Sequence, residues 1–253
     1  QVAFGNGGRG LIFPYKAAAT HASIDYKTNV TGNWTSAKVT DKNPTYPIGI
    51  SGISAHTDDI NATATIIFNP NLTSIANDTL NIIVLYKPSE FSFNLKISSG
   101  TEVWIKDNKN KKASVLSGKL KCETDTIQLS FFQSDTLQNF FEIYGILIES
   151  TNSSGIVYHN AGINGASIHH IQNQLLIEEH LQIIQPDLLI IDLGTNDIIT
   201  GIFDEIALKT IMNNVIERIK HTIPKTPIIL MSPQDMHYKR KHISSPEKFS
   251  NLL

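Results

Sequence analysis

Two rhythms of apolar and polar residues divide the chain. From about Thr28 to Ser150 the apolar residues come in short β-type runs: Ala64 to Phe68, Thr79 to Tyr86, Phe91 to Ile97, Glu102 to Lys106, Ile127 to Phe132 and Phe140 to Ile148. Turn-forming clusters separate them at Asn69-Pro70-Asn71, Lys87-Pro88-Ser89, Ser98-Ser99-Gly100 and Asp107-Asn108-Lys109-Asn110. Alternation places Phe91, Phe93, Leu95 and Ile97 on one face, and Thr101 to Lys106 follows after a short turn. That pair predicts a hairpin with one buried face. Strands at this spacing, with no helical stretch between them, predict a β-sandwich or jelly roll.

From Gly155 the period changes. Ile156-Val157-Tyr158 reads as a short strand, and Ile168, Ile171, Leu175 and Ile183 predict a helix within Ser167 to Ile184. Leu188 to Leu193 reads as a buried strand. Phe203, Ile206, Ile211, Val215, Ile216 and Ile219 predict a second helix from Phe203 to Thr222, and Ile228 to Met231 the next strand, closed by Ser232-Pro233. Strand, helix, strand, helix, strand is the order of a parallel sheet with right-handed crossovers. The expected fold class is therefore α/β, a parallel sheet joined to an all-β sandwich.

Composition narrows the classes. A length of 253 residues allows one large domain or two ordinary ones. The net charge of −2 gives no reason to expect nucleic acid or anionic membrane as a partner. No apolar run reaches the roughly twenty residues of a transmembrane helix, and no signal peptide is visible. Cys122 is the single cysteine, which excludes an internal disulfide and reads as a packed strand residue. Zinc-type Cys/His spacing is absent, so no metal is expected. Asn29, Asn33, Asn61, Asn71, Asn77 and Asn152 each open an Asn-x-Ser/Thr triplet, a short motif expected by chance in an Asn- and Thr-rich chain.

The candidate chemistry sits at two turns. Leu188 to Leu193 runs into Gly194-Thr195-Asn196-Asp197, which aims the Asn196 carboxamide at the carboxyl end of a strand, where open α/β sheets bind and react. Its NH2 is an uncharged donor able to hold a developing oxyanion, although an Asn can equally cap the next helix. Upstream, Tyr158-His159-Asn160-Ala161-Gly162-Ile163-Asn164-Gly165-Ala166 links a predicted strand to a predicted helix. Gly165 there would leave a backbone N–H open to an anion; it also suits a turn needing positive φ, and the two roles are compatible. Gly162 fits the turn alone. Asp197 and Gly194 are supporting residues. Asp192, inside the apolar strand, needs an edge position or a partner. Ser232 ends a strand but lacks the Gly-x-Ser-x-Gly setting of a nucleophile. His159, His169, His170, His237 and His242 are each conceivable general bases; His169-His170 reads as solvated, and His237 as a loop residue able to line a cleft. The Gly5 to Gly10 stretch lacks the Gly-Lys-Ser/Thr ending of a phosphate loop, and Arg9 could pair a carboxylate. Trp34, Trp104, Tyr26, Tyr46 and Tyr86 offer sugar-stacking faces or, more simply, core aromatics.

These turns resemble two of the four short blocks of the SGNH (GDSL-like) hydrolase superfamily. Gly165 matches the glycine block and Gly194-Thr195-Asn196-Asp197 the Gly-x-Asn-Asp block, while no Gly-Asp-Ser and no later Asp-x-x-His occurs. The stretch from Phe4 to Pro14 is similar to one that follows the nucleophile in bacterial SGNH esterases carrying an inserted β-domain. The resemblance implies a flavodoxin-like three-layer SGNH domain, incomplete here, interrupted by a β-sandwich. Residues 1–20 would be an N-terminal remnant of the hydrolase, 21–150 the inserted carbohydrate-binding-like domain, and 151–253 the truncated remainder. It implies a serine esterase whose oxyanion hole is Gly165 N–H and the Asn196 side chain. The nucleophile Ser and the Asp/His pair would lie outside this chain, which by itself would be inactive. No cofactor is implied. The implied partner is an acylated carbohydrate or cell-wall polymer, from which O-acetyl groups would be removed, and the implied location is secreted, periplasmic or cell-envelope. The competing reading is a non-catalytic carbohydrate-binding protein with a degenerate hydrolase domain. A nucleotide-binding flavodoxin-like domain is disfavoured because no phosphate loop precedes the first helix.

Overall fold

The computed structural model describes residues 8–20, 23–106, 114–151, 155–199, 204–233, 236–238 and 241–243. Phe4 to Gly7, Asp107 to Asn110, Asn152 and Phe203, all used above, lie outside the described residues. The chain forms two compact units, Gln1–Lys38 with Ile53–Ala161, and Val39–Gly52 with Gly162–Leu253.

The first unit holds β1 (Gly8–Ile12), β2 (Tyr26–Thr31), β3 (Thr35–Lys38), β4 (Ile53–Thr57), β5 (Thr63–Phe68), the single turn α1 (Pro70–Thr73), β6 (Thr79–Tyr86), β7 (Asn94–Ser99), β8 (Glu102–Lys106), β9 (Val115–Lys121), β10 (Thr126–Phe132) and β11 (Phe141–Ser150). One sheet runs β3-β4-β11-β6-β9, with β1 also on β11; the other runs β2-β5-β10-β7-β8. Every strand pair in both is antiparallel. Alternation sets the register: Ala64, Ile66 and Phe68 of β5, and Ile127, Leu129 and Phe131 of β10, are all buried. The Phe131 and Phe141 rings meet across the two sheets at 4.7 Å, and Tyr86 stacks on Phe141 at 5.6 Å.

Two details depart from the pattern. The run from Phe91 does not start a strand: Phe91 N–H donates to Ser89 Oγ and Ser92 Oγ–H to the Lys87 carbonyl, so β7 begins only at Asn94 and Phe91 stays 41% exposed. The β7–β8 hairpin forms, turning at Gly100 with φ +63, where glycine avoids the left-handed penalty of a Cβ. On β8, Val103 and Ile105 face out, while the Trp104 indole lies against Gly118 so closely that any side chain there would collide.

Several polar groups inside this unit are paired. Glu142, 1% exposed, accepts from Tyr144 Oη–H at 2.6 Å and faces Lys87 Nζ at 3.8 Å and His56 Nδ1 at 3.5 Å. Arg9 donates to the Ser74 carbonyl at 2.7 Å and sits in the field of Asp78, Asp125 and Asp25. Cys122 is fully buried just past β9, and burial pushes its thiol up to about 11. Tyr86 is a core residue, while Tyr26, Trp34 and Trp104 are half-buried.

The second unit holds a 3-10 turn at Ile168–Asn173, then α2 (Ile177–Ile184), β12 (Leu189–Asp192), α3 (Thr195–Ile199), α4 (Glu205–Thr222), β13 (Ile228–Met231), β14 (Met236–Tyr238) and β15 (Lys241–Ile243). β12 and β13 are parallel and in register, as the strand-helix-strand order requires, and β14 and β15 form an antiparallel hairpin. The described sheet structure of the chain is thus mixed and mostly antiparallel, with one parallel pair.

Several expected elements differ here. Ile156 to Tyr158 form no strand, and Ile156 and Tyr158 are 65% and 73% exposed. The helix expected within 167–184 is broken at Gln174 to Leu176. There Leu176 N–H donates to the Ile48 carbonyl and the Gln174 side chain donates through Nε2 to the Ile50 carbonyl, so the segment Val39–Gly52 takes one backbone N–H that a continuous helix would have used. β12 is buried on one face only: Ile191 is 7% exposed, but Ile190 is 47% exposed and Asp192 lies on that open face. On α4, Asp204 caps the Ala207 N–H, and Leu208, Met212, Val215 and Ile219 form the buried stripe, leaving Ile206 exposed. A bidentate Arg218–Glu178 pair at 2.6 and 2.9 Å pins α4 to α2. His237 lies in β14 opposite His242, not in a loop.

Val39–Gly52 therefore belongs with the α/β unit although it interrupts the β-rich stretch, and β1 pairs inside the β unit although it precedes it. Val39 N–H donates to Gly52 O at 2.9 Å, closing the segment into a loop, and Ile50 N–H donates to His180 Nδ1 at 3.2 Å, fastening it to α2.

Two outcomes follow. Phe141→Ala should destabilise the β unit by about 3–5 kcal/mol in denaturant unfolding, because it empties the contact between the sheets. His180 is fully buried, and desolvation lowers its imidazole to about 4 from 6.5. The unfolded residue takes up a proton near 6.5 while the folded one resists to about 4. Stability is then complete above about 6.5 and is lost as pH falls toward 4, by about 3 kcal/mol at the low end. His180→Gln, which cannot titrate, should flatten that part of the stability profile; an unchanged slope would exclude His180 as its source.

Candidate active site

The glycine turn is built by four residues. Ala166 N–H donates to the Ile163 carbonyl at 3.2 Å, closing Ile163-Asn164-Gly165-Ala166, and Gly165 has φ +82 at its third position. That is the position where a type II turn needs positive φ. Ile163 seats the turn by packing on Gly52 and Val39, where a Gly52 Cβ would come within 3.1 Å of Ile163 Cγ2. Gly165 itself is exposed, and a Cβ there would meet only Thr40 Cγ2 at 3.8 Å. Backbone conformation, not space, demands the glycine. The Gly165 N–H has no hydrogen-bond partner among the described residues.

The second turn starts where β12 ends. Gly194, buried with φ +115, lets the chain enter α3, and its carbonyl accepts from Ile198 N–H at 3.1 Å. Asn196, in the first turn of α3, points back at the glycine turn: its Nδ2 donates to the Ala166 carbonyl at 2.7 Å. Asp197, 2% exposed, accepts from the Ile168 N–H at 3.0 Å through Oδ2. The two turns picked out in the sequence are therefore neighbours, joined through Ala166 and Ile168.

A third side chain joins them. His170 Nδ1 accepts from the Ser167 N–H at 3.0 Å, and the Ser167 hydroxyl lies 2.9 Å from the same nitrogen. This is a capping arrangement at the head of the 3-10 turn rather than a nucleophile and its base. The acceptor nitrogen is already occupied by a backbone N–H, and Ser167 is only 9% exposed. His169 is exposed, as expected. His159 belongs to the β unit, where burial lowers its pKa against the pull of Glu149. The side chains of His237 and His242 lie outside the described residues. Ser232 is exposed after β13. No cluster of three metal-ligating side chains occurs among the described residues, and no described helix is long and apolar enough to cross a membrane.

Chemically, the two turns carry two kinds of hydrogen-bond donor, a backbone N–H and a carboxamide. A carboxamide has two N–H bonds, and the Ala166 carbonyl takes one of those of Asn196. Residues 128–251 match the family of GDSL-like lipases and acylhydrolases. Gly165 and Asn196 both fall inside that match. The fold is also that of a solved peptidoglycan O-acetylesterase, at TM-score 0.70 and 19% identity over 97% of this chain. This chain spans 64% of that protein, less than two thirds of its length. The ANX1 ectodomain from Arabidopsis thaliana (18% identity, 50% of this chain and 34% of that one) and the exo-beta-1,3-galactanase from Phanerochaete chrysosporium (13%, 52% and 31%) each align at a TM-score of 0.30, too low to bear on fold or function. No curated protein matches the chain. The family match and the first structural likeness both support the SGNH superfamily resemblance.

Gly165→Ala should cost about 1 kcal/mol of stability, since the space is open but the left-handed backbone is not suited to alanine. Thermal unfolding checks this; an unchanged melting temperature would mean that the turn relaxes to another conformation.

Proposed function

We propose that the α/β unit carries the oxyanion hole of an SGNH-type serine ester hydrolase. The observation that carries the reading is the Asn196 carboxamide resting on the turn whose Gly165 N–H is uncommitted. In this reading a serine attacks the ester carbonyl, and a histidine oriented by an aspartate accepts its proton and later returns it to the leaving alcohol. The reading assigns none of those three groups to a residue of this chain. As the carbonyl oxygen gains charge, it takes the Gly165 N–H and the second N–H of Asn196. Both donors are fixed before the reaction starts, so they stabilise the charge without reorganisation. The chemistry asks for no metal or cofactor.

The substrate reading is O-acetyl groups on a cell-wall or other polysaccharide, supported by the likeness to a peptidoglycan O-acetylesterase. The β unit then corresponds to a guest domain inserted into the hydrolase chain, whose parallel sheet extends beyond β12 and β13 into a flavodoxin-like three-layer arrangement. An extracellular or cell-envelope location goes with such a substrate.

In the full-length protein, Asn196→Ala should lower kcat by about 100-fold or more, with KM nearly unchanged, because the donor acts on charge that exists only in the transition state. Acetate release from an acetylated polysaccharide measures it. An unaltered kcat would take Asn196 out of the mechanism.

A further inference from the structure

We infer that His170 is a positioning residue that holds the oxyanion turn in shape; the inference rests on the esterase reading of Gly165 and Asn196. The peptide between Ala166 and Ser167 is gripped at both ends. Its carbonyl accepts from Asn196 Nδ2 at 2.7 Å, and its N–H donates to His170 Nδ1 at 3.0 Å. The next peptide is held by Asp197, which accepts from the Ile168 N–H at 3.0 Å. On the other side of the turn, Ile163 is seated against Gly52 and Val39.

These anchors matter because of where the free N–H sits. Gly165 N–H belongs to the central peptide of the turn, between Asn164 and Gly165. Glycine, at φ +82 with open space around it, imposes little resistance to rotation of that peptide. Rotation would change how that N–H is aimed relative to the Asn196 carboxamide. The restraint must come from the residues flanking the peptide, and on the Ala166 side it comes from the two-ended grip. Asn196 alone fixes one end and leaves the peptide free to swing about the hydrogen bond; His170 fixes the other. Because the Ser167 N–H donates to Nδ1, the neutral ring carries its own proton on Nε2. The imidazole acts here as an acceptor, the role a Gln or Glu fills at the third position of a capping box.

The test uses that equivalence. In the full-length enzyme, His170→Leu removes the acceptor and should lower kcat about 10-fold or more with little change in KM, the signature of a misplaced transition-state contact. In this chain the same change should speed hydrogen exchange of the Ser167 amide and shift the Gly165 amide resonance. His170→Gln keeps an acceptor in reach of the Ser167 N–H and should restore both kcat and amide protection. The inference is overturned if His170→Leu leaves kcat and the Gly165 resonance unchanged. It is also overturned if His170→Gln protects the Ser167 amide yet is as slow as His170→Leu, since the imidazole would then act in the chemistry itself. Failure of the esterase reading would show separately, as an Asn196→Ala enzyme with unaltered kcat.

Discussion

A hydrogen bond from Asn196 Nδ2 to the Ala166 carbonyl ties together the two turns that matter in the α/β unit. Each turn is shaped locally, one by Gly165 with φ +82 and the other by Gly194 with φ +115. Neither local shape says how far apart the turns lie. The carboxamide sets that separation, and Asp197, its neighbour in α3, repeats the tie two residues further on through the Ile168 N–H. Buried carboxylates and amides are costly unless bonded, so this pair fixes the spacing in a way an apolar contact would not.

The frame around the turns is equally specific. Val39–Gly52 leaves the β-rich stretch, closes on itself and threads into the α/β unit, where it packs on Ile163 and bonds to Asn173, Gln174, Leu176 and His180. The segment lies between β3 and β4, adjacent antiparallel strands of one sheet. A connection that could have been a short hairpin loop instead carries part of the scaffold under the glycine turn. The break between the 3-10 turn and α2 is the counterpart of this: the Leu176 N–H and the Gln174 side chain bond there to the segment.

The β unit follows a simpler rule. Two antiparallel sheets share a core in which Phe131, Phe141, Phe93 and Tyr86 are in ring contact. Where a carboxylate enters that region, as Glu142 does, a tyrosine hydroxyl, a lysine and a histidine surround it.

Alternation and turn residues were sufficient to place most β strands, because a period of two in a half-buried strand is written directly in the sequence. β6 and β8 run over the residues the pattern marks, and the strand ends at Gly194 and the glycine turn at Gly165 are equally legible, since each demands a residue type that stands out. The sequence could not indicate that Phe91 is lifted out of its alternating run by Ser89 and Ser92, that Ile190 faces outward in a strand apolar at every position but its last, or that Leu208 rather than Ile206 marks the buried face of α4. Those depend on what lies opposite, which periodicity does not encode. The excursion of Val39–Gly52 shows in the sequence only as a stretch holding Pro44 and Pro47, and His170 only as one of several histidines. The role of that segment arises from hydrogen bonds between residues as much as 134 positions apart, and only the folded chain brings those partners together.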